Sequence, residues 1–284
     1  MRSMEVEETR YSSGYGKPPW LFSGSALYQL HLVKAETARA FIPKDFRLVE
    51  AFGYTLGGFF LASYDDSPVG VFDELFSLVV FWFQLVVIAG IVWNPPTSCA
   101  WAAKVLVNSA EACDHGRKDV GLPSQVAKFS KRMTAVPSTS EGKFNGFLNM
   151  IGLGRKLSHE KNLMDIDVTE IDGPAATDIC IIKLSTDVPQ PKFSEWMGPP
   201  IKMSLPSFSG NTEYNPKLLK YCCNLECRVR AVKPAKVSKG SEEEGEENDN
   251  VSLSVSVMLS KPILALEFNC LKMRVEPPTV ISTS

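Results

Sequence analysis

Nineteen consecutive residues, Leu75 to Trp93, carry no charged side chain, and a chain holding such a stretch must take it out of water. Two environments can do so. As a helix the run would reach about 28 Å, near the ~30 Å hydrocarbon thickness of a bilayer. As a strand it would be covered on both faces of a sheet, which its β-branched and aromatic residues fit. The flanks decide between them. Asp73 and Glu74 precede the run and the nearest following cation is Lys104, so the basic anchors of a membrane span are missing. A buried strand is the reading, and a span at 75–93 is the alternative. Leu78-Val79-Val80 recurs as Leu85-Val86-Val87, as if a segment had been inserted.

Downstream, the polarity pattern is that of strands wetted on one face. Met164, Ile166 and Val168 alternate with Asp165, Asp167 and Thr169, a period of two. Leu225, Cys227, Val229 and Ala231 alternate with Glu226, Arg228 and Arg230, and Val251, Leu253, Val255 and Val257 alternate with serines. These two runs are expected to pair as a hairpin. Between them, 238–250 contains Glu242-Glu243-Glu244-Gly245-Glu246-Glu247, too polar to bury, and reads as a disordered acidic hairpin loop. A last strand is expected between Leu264 and Val275. Upstream, residues 1–19 read as an extended arm interrupted by Ser12-Ser13-Gly14 and Pro18-Pro19. Leu27 to Leu32 reads as a strand and Lys34 to Phe41 as a short helix. Ala51 to Ala62, with Gly53, Gly57 and Gly58, reads as a bent or bulged strand. The expectation is one domain over 20–284.

A hydrophobic content of 44 % supports a sizeable core. The net charge of −2 leaves no basic surplus to neutralise phosphates, which excludes nucleic acid as the expected partner. Seven cysteines without framework spacing read as free thiols in a reducing compartment. Glu5, Glu7 and Glu8 fit neither a signal nor a transit peptide. The expected location is cytoplasmic or plastid-associated.

The segment Gly116-Arg117-Lys118-Asp119-Val120-Gly121-Leu122-Pro123-Ser124-Gln125 resembles the Gly-Arg-Glu…Gly-x-Pro-Lys-Lys segment of the acetoacetate decarboxylase family. In that family the first lysine after the proline forms a Schiff base with substrate, and the charge of its neighbour lowers its pKa. An amine is a nucleophile only when neutral, so the adjacent cation matters. Here the two positions are Ser124 and Gln125, which supply neither imine nor cation, and Lys118 replaces the usual glutamate. A wider resemblance rests on Lys17 to Trp20, Gly24 to Leu30, Val49 to Tyr54, Ser63 to Pro68 and Trp93 to Ser98. Over nearly the whole chain it is to a plant family required in forming the xanthophyll neoxanthin from violaxanthin. Members pass from a Phe-Asp-Glu-Leu like Phe72 to Leu75 straight into a Val-Val-Ile-Ala-Gly like Val86 to Gly90. That marks Phe76 to Leu85 as an insertion of splice or gene-model origin, which should strain the fold.

The resemblance implies an α+β, mostly antiparallel β fold, an acetoacetate decarboxylase-like β-cone or barrel around a cavity, with a few short helices. It implies a non-catalytic accessory or ligand-binding factor of xanthophyll formation, without cofactor. Its counterpart would be violaxanthin, neoxanthin or an enzyme of the carotenoid pathway. Two alternatives stay open: an enzyme acting in the same cavity on an apolar ketone or epoxide, and a membrane-anchored assembly factor using 75–93.

The cavity residues expected on this basis are Gly116, Arg117, Pro123, Ser124 and Gln125. Pro123 is expected to open a short helix that carries Ser124 and Gln125 inward, with Arg117 either on the cavity wall or paired with a carboxylate. Lys128 and Lys131 read as surface residues rather than replacement amines. Cys222, Cys223 and Cys227 lack the fourth ligand and spacing of a zinc site. His115 is of a residue type that can serve as a general base, but no Ser/His/Asp arrangement can be assembled from sequence, so a loop histidine is expected. Trp20, Tyr54, Phe59, Phe60, Trp93 and Trp101 suit a pocket for a flat polyene; as individual residues they read as core.

Overall fold

In the computed structural model, which describes residues 15–66, 82–137, 160–187, 198–210, 212–240 and 253–281, alternating sequence becomes strand almost everywhere. The strands are β1 (Trp20–Lys34), β2 (Tyr54–Asp66), β3 (Trp82–Asn94), β4 (Thr97–Val107), β5 (Ser124–Pro137), β6 (Glu160–Asp172) and β7 (Ala175–Asp187). They continue with β8 (Pro200–Ser209), β9 (Leu219–Val232), β10 (Lys236–Lys239), β11 (Lys261–Val275) and β12 (Thr279–Val280). Three short helices accompany them among the described residues: α1 (Ala35–Arg39), α2 (Ala110–His115) and α3 (Leu253–Met258), with a π-helical turn at Gly116–Val120.

Strands β4, β3, β2, β1, β11, β9 and β8 neighbour one another in that order, and β8 returns to β4. This closes a seven-strand barrel. β4 is the branch point. Its middle pairs with β8 in parallel (Ala100↔Ser207, Trp101↔Phe208), while its end pairs with β5 in parallel (Val105↔Ser124 to Val107↔Val126). Antiparallel ladders then extend the sheet from β5 through β6 and β7 to β10. Parallel neighbours need a crossover, and α2 with the π-helical turn supplies it between β4 and β5.

Two cores result. One fills the barrel, with Trp20, Phe60, Ala62, Tyr64, Tyr221, Leu225 and Phe268. The other lies outside it, where Phe59, Leu61, Leu85, Val87 and Leu106 meet Ile166, Val168, Ile182, Val255 and Met258. β3 stands between them, and this accounts for its lack of charge. Val86 packs with the inner cluster and Leu85 and Val87 with the outer one, so neither face of the strand is wet. Each fully buried Leu or Val contributes about 1.5–3 kcal/mol.

The strand reading thus holds for 82–93, and no helix among the described residues is long and apolar enough to cross a membrane. Trp82 to Leu85, the described part of the expected insertion, are regular ladder residues (Tyr64↔Trp82 to Leu61↔Leu85). Residues 1–14 of the expected arm, 76–81 of the insertion, 241–250 of the acidic loop and His159 lie outside the described residues.

Other expectations are corrected. The run from Leu253 to Met258 is helix α3, not a strand, and β9 pairs with β8, β11 and β12. Ser254, Val255, Val257 and Met258 are its buried residues, spaced i, i+1, i+3 and i+4 on one helical face. Over so few residues, alternation of Val and Ser fits either period. Ser238 and Lys239 belong to β10 on β7 rather than to a hairpin loop.

Candidate functional site

The crossover that β4 and β5 require also walls one end of the barrel. α2 starts at Ser109, whose Oγ accepts the Ala112 N–H at 3.2 Å, a usual N-cap bond. The π-helical turn ends at Gly121, which adopts φ +70°. A Cβ there would also meet Leu219 Cδ1 at 2.4 Å, so glycine is needed for conformation and for space. Thr212 Oγ1 donates to the Arg117 carbonyl at 2.9 Å, and Ser209 Oγ to that of Val120 at 3.3 Å. Beyond Pro123 the chain is extended rather than helical. Ser124, Gln125 and Val126 pair with Val105, Leu106 and Val107, because their backbone groups are claimed by the edge of β4. The helix expected after Pro123 is absent.

Inside the barrel is a cavity of about 140 Å³. Its aromatic lining includes Trp20, Tyr28, Phe60, Tyr64, Trp82 and Tyr221; Gly116 lines it too, with Gln84, Asn108, His115, Ser124 and Ser207 among its polar side chains. No lysine, arginine, aspartate or glutamate is among the described residues that line it. The phenols and thiol are kept neutral. Burial, with the Glu111 carboxylate adding to it, pushes the Tyr15 phenol up to about 12. Burial raises the Tyr28, Tyr64 and Tyr221 phenols as well, and takes the Cys223 thiol up to about 12. No phenolate or thiolate nucleophile is available near neutral pH.

The polar groups differ in how far they are satisfied. The Tyr64 hydroxyl donates to Gln84 Oε1 at 2.8 Å, and Asn108 Oδ1 accepts the Phe83 N–H at 2.9 Å. His115 Nδ1 lies 2.7 Å from Asp119 Oδ2, with both side chains buried. The imidazole is stacked on Tyr15 at 4.0 Å and meets Trp20 edge-on at 4.5 Å. Its Nε2 makes no hydrogen bond among the described residues. Ser124 Oγ, wholly shielded from solvent on a residue only 3 % exposed, has no hydrogen-bond partner either. Gly116 makes room for it, since a Cβ at 116 would fall 2.3 Å from Ser124 Oγ.

Of the five expected cavity residues, Gly116 and Ser124 line the cavity, whereas Arg117, Pro123 and Gln125 do not. Gln125 is exposed, as strand alternation after an inward Ser124 requires. Arg117 Nη2 pairs at the surface with Glu213 Oε1 at 2.6 Å, over the Tyr214 ring. Lys128 and Lys131 are exposed on β5. His115 is a buried helix-terminal residue rather than a loop one. Cys222, Cys223 and Cys227 lie on β9, and Cys223 lines the cavity. Among the aromatics, Trp20 and Phe60 line the cavity, Phe59 and Trp101 belong to the outer core, and Tyr54 and Trp93 are exposed. Sequence reasoning missed Tyr15, Tyr64 and Gln84. The i, i+4 spacing of His115 and Asp119 was the one available signal for that pair.

No family model matches the chain. It is 64 % identical over 293 aligned residues to Protein NEOXANTHIN-DEFICIENT 1 of Arabidopsis thaliana, covering 99 % of this chain and 100 % of that one. It is 61 % identical to the protein of the same name from Solanum lycopersicum, covering 98 % of each. Among solved structures it is similar to the enduracididine biosynthesis enzyme MppR complexed with pyruvate (TM-score 0.54, 14 % identity, 99 % of this chain and 96 % of that one). An acetoacetate decarboxylase from Legionella pneumophila gives a TM-score of 0.51 at 12 % identity, over 98 % and 93 % of the two chains. At such identities these two likenesses establish the fold alone.

Proposed function

The chain belongs to the NEOXANTHIN-DEFICIENT 1 family, and on that premise we propose that it serves neoxanthin formation as a non-catalytic, ligand-binding factor. The observation that carries this reading is a barrel cavity lined by aromatic rings and, among its described residues, by no lysine or arginine. Imine formation needs an amine in the cavity, and Ser124 occupies the position where the resemblance puts the Schiff-base lysine. What remains suits a neutral, apolar ligand oriented by a few polar groups. At about 140 Å³ the cavity compares with an engineered one of about 150 Å³ that binds benzene. It therefore takes one ring of a xanthophyll such as violaxanthin or neoxanthin and not the whole polyene.

Trp20 and Trp82 line the cavity and report on its occupancy. Titrating the protein with violaxanthin, neoxanthin and β-carotene should give saturable tryptophan quenching by the two oxygenated pigments and none by β-carotene. Absence of quenching in a folded protein would move the role to a partner enzyme of the carotenoid pathway. A second reading, an enzyme acting on an apolar ketone or epoxide, has the buried His115–Asp119 pair in its favour. It requires turnover that disappears in a folded His115→Asn protein.

A further inference from the structure

We infer that the cavity selects a neutral ring bearing a free hydroxyl group, which Ser124 and His115 recognise together. The inference rests on the reading of the cavity as a ligand site and names the chemistry that the ligand must present there.

A buried hydroxyl without a partner costs stability; Ser124 Oγ is such an unmet donor and acceptor, on a residue that lines the cavity. Gly116 leaves that hydroxyl its place, since a Cβ there would collide with it. The residue before it, His115, contributes the second unmet group. Its Nδ1 faces the Asp119 carboxylate at 2.7 Å and so carries a proton, which makes Nε2 an acceptor whenever the ring holds that one proton alone. One member of the pair can both give and take a proton, and the other can only take one. A ligand ether or ketone oxygen, which only accepts, satisfies Ser124 and leaves His115 unpaired. An alcohol donates to His115 Nε2 and accepts from Ser124. With no cation in the described lining, a carboxylate would enter without a counter-charge, at a large desolvation cost. The aromatic walls and the volume near 140 Å³ set the rest of the ligand at about one six-membered ring.

The test uses cyclohexanol, cyclohexanone and methylcyclohexane as probes of the full-length protein, read by tryptophan fluorescence. Cyclohexanol is expected to bind about tenfold more tightly than methylcyclohexane and more tightly than cyclohexanone, as one net hydrogen bond near 1.4 kcal/mol implies. Ser124→Ala and His115→Asn should each reduce that preference while still binding the hydrocarbon, and the retained binding shows that both variants are folded. Asn at 115 can still donate to Asp119, so it deletes the ring acceptor while keeping the carboxylate partnered. Equal affinity for the three probes, or a preference that both variants retain, overturns the inference. The outcome separates from that of the xanthophyll titration. A preference for the alcohol upholds the inference even where no pigment binds, and pigment binding without the preference overturns it while leaving the broader reading intact.

Discussion

Among the described residues two histidines are buried, one in each core, and they differ in how completely they are bonded. In the outer core, His31 is 1 % exposed, with Nδ1 3.2 Å from the Val257 carbonyl and Nε2 2.9 Å from Gln29 Nε2. Gln29 completes the network. Its Nε2 donates to the Ala235 carbonyl at 3.1 Å and its Oε1 accepts the Ala235 N–H at 2.7 Å. This ties β1 to α3 and to the link between β9 and β10, with no hydrogen-bonding capacity of either ring nitrogen left over. His115, in the barrel, is bonded at one nitrogen only and sits beside an unpaired serine. A closed network holds chain segments together. An open one, equally buried, has room for a ligand atom.

The largest expected effect comes from breaking the closed network. His31→Leu leaves the Gln29 amide and the Val257 carbonyl short of partners, at roughly 1–3 kcal/mol each, so unfolding in urea should show a loss of about 2–5 kcal/mol. Ligand binding by the surviving folded protein should hardly change. A smaller loss than for His115→Asn would undo the contrast between the two sites.

Next is a pH effect confined to the outer core. Burial lowers the His31 pKa, and its bond to the Val257 carbonyl only partly opposes this. A base whose folded pKa lies below its unfolded value of about 6.5 takes up its proton more readily when unfolded. Its contribution to stability is therefore constant above that value and lost as the pH falls below it, by at most about 1.4 kcal/mol per pH unit. Comparing urea midpoints between pH 7.5 and 5 for the protein and for His31→Gln should show a shallower decline in the variant. Parallel curves would exclude His31 as the cause.

The smallest stability effect, with an opposite sign, belongs to Ser124. Removing its unpaired hydroxyl in Ser124→Ala should leave the melting temperature unchanged or raise it, by the equivalent of about 1 kcal/mol. The recognition of an oxygenated ligand should weaken in the same protein. A site that gains stability as it loses binding is the usual mark of a polar group kept for function. A marked fall in melting temperature would mean that Ser124 is structural.

Much of the frame was legible from polarity alone. Met164, Ile166 and Val168 alternate because β6 is covered on one face, and Trp82 to Trp93 lacks charge because β3 is covered on two. Local patterns failed where distant contacts decided the outcome. Pro123 is suited to open a helix, but the edge of β4 takes the backbone of the three residues after it. Arg117 matches the arginine of the decarboxylase segment, yet Glu213 and Tyr214, nearly a hundred residues on, hold it at the surface. His115 gains its meaning from Tyr15 and Trp20, which no spacing within its own segment could reveal.

The contrast between the two histidines is most directly measured in the imidazole nitrogen resonances of the ¹⁵N-labelled protein, recorded while cyclohexanol is added to saturation. The His115 Nε2 signal should move upfield as its lone pair accepts the ligand hydroxyl, with both His31 nitrogens unmoved. A His115 signal that stays in place at saturation, or a response at His31, would contradict the assignment of the open pair as the recognition site.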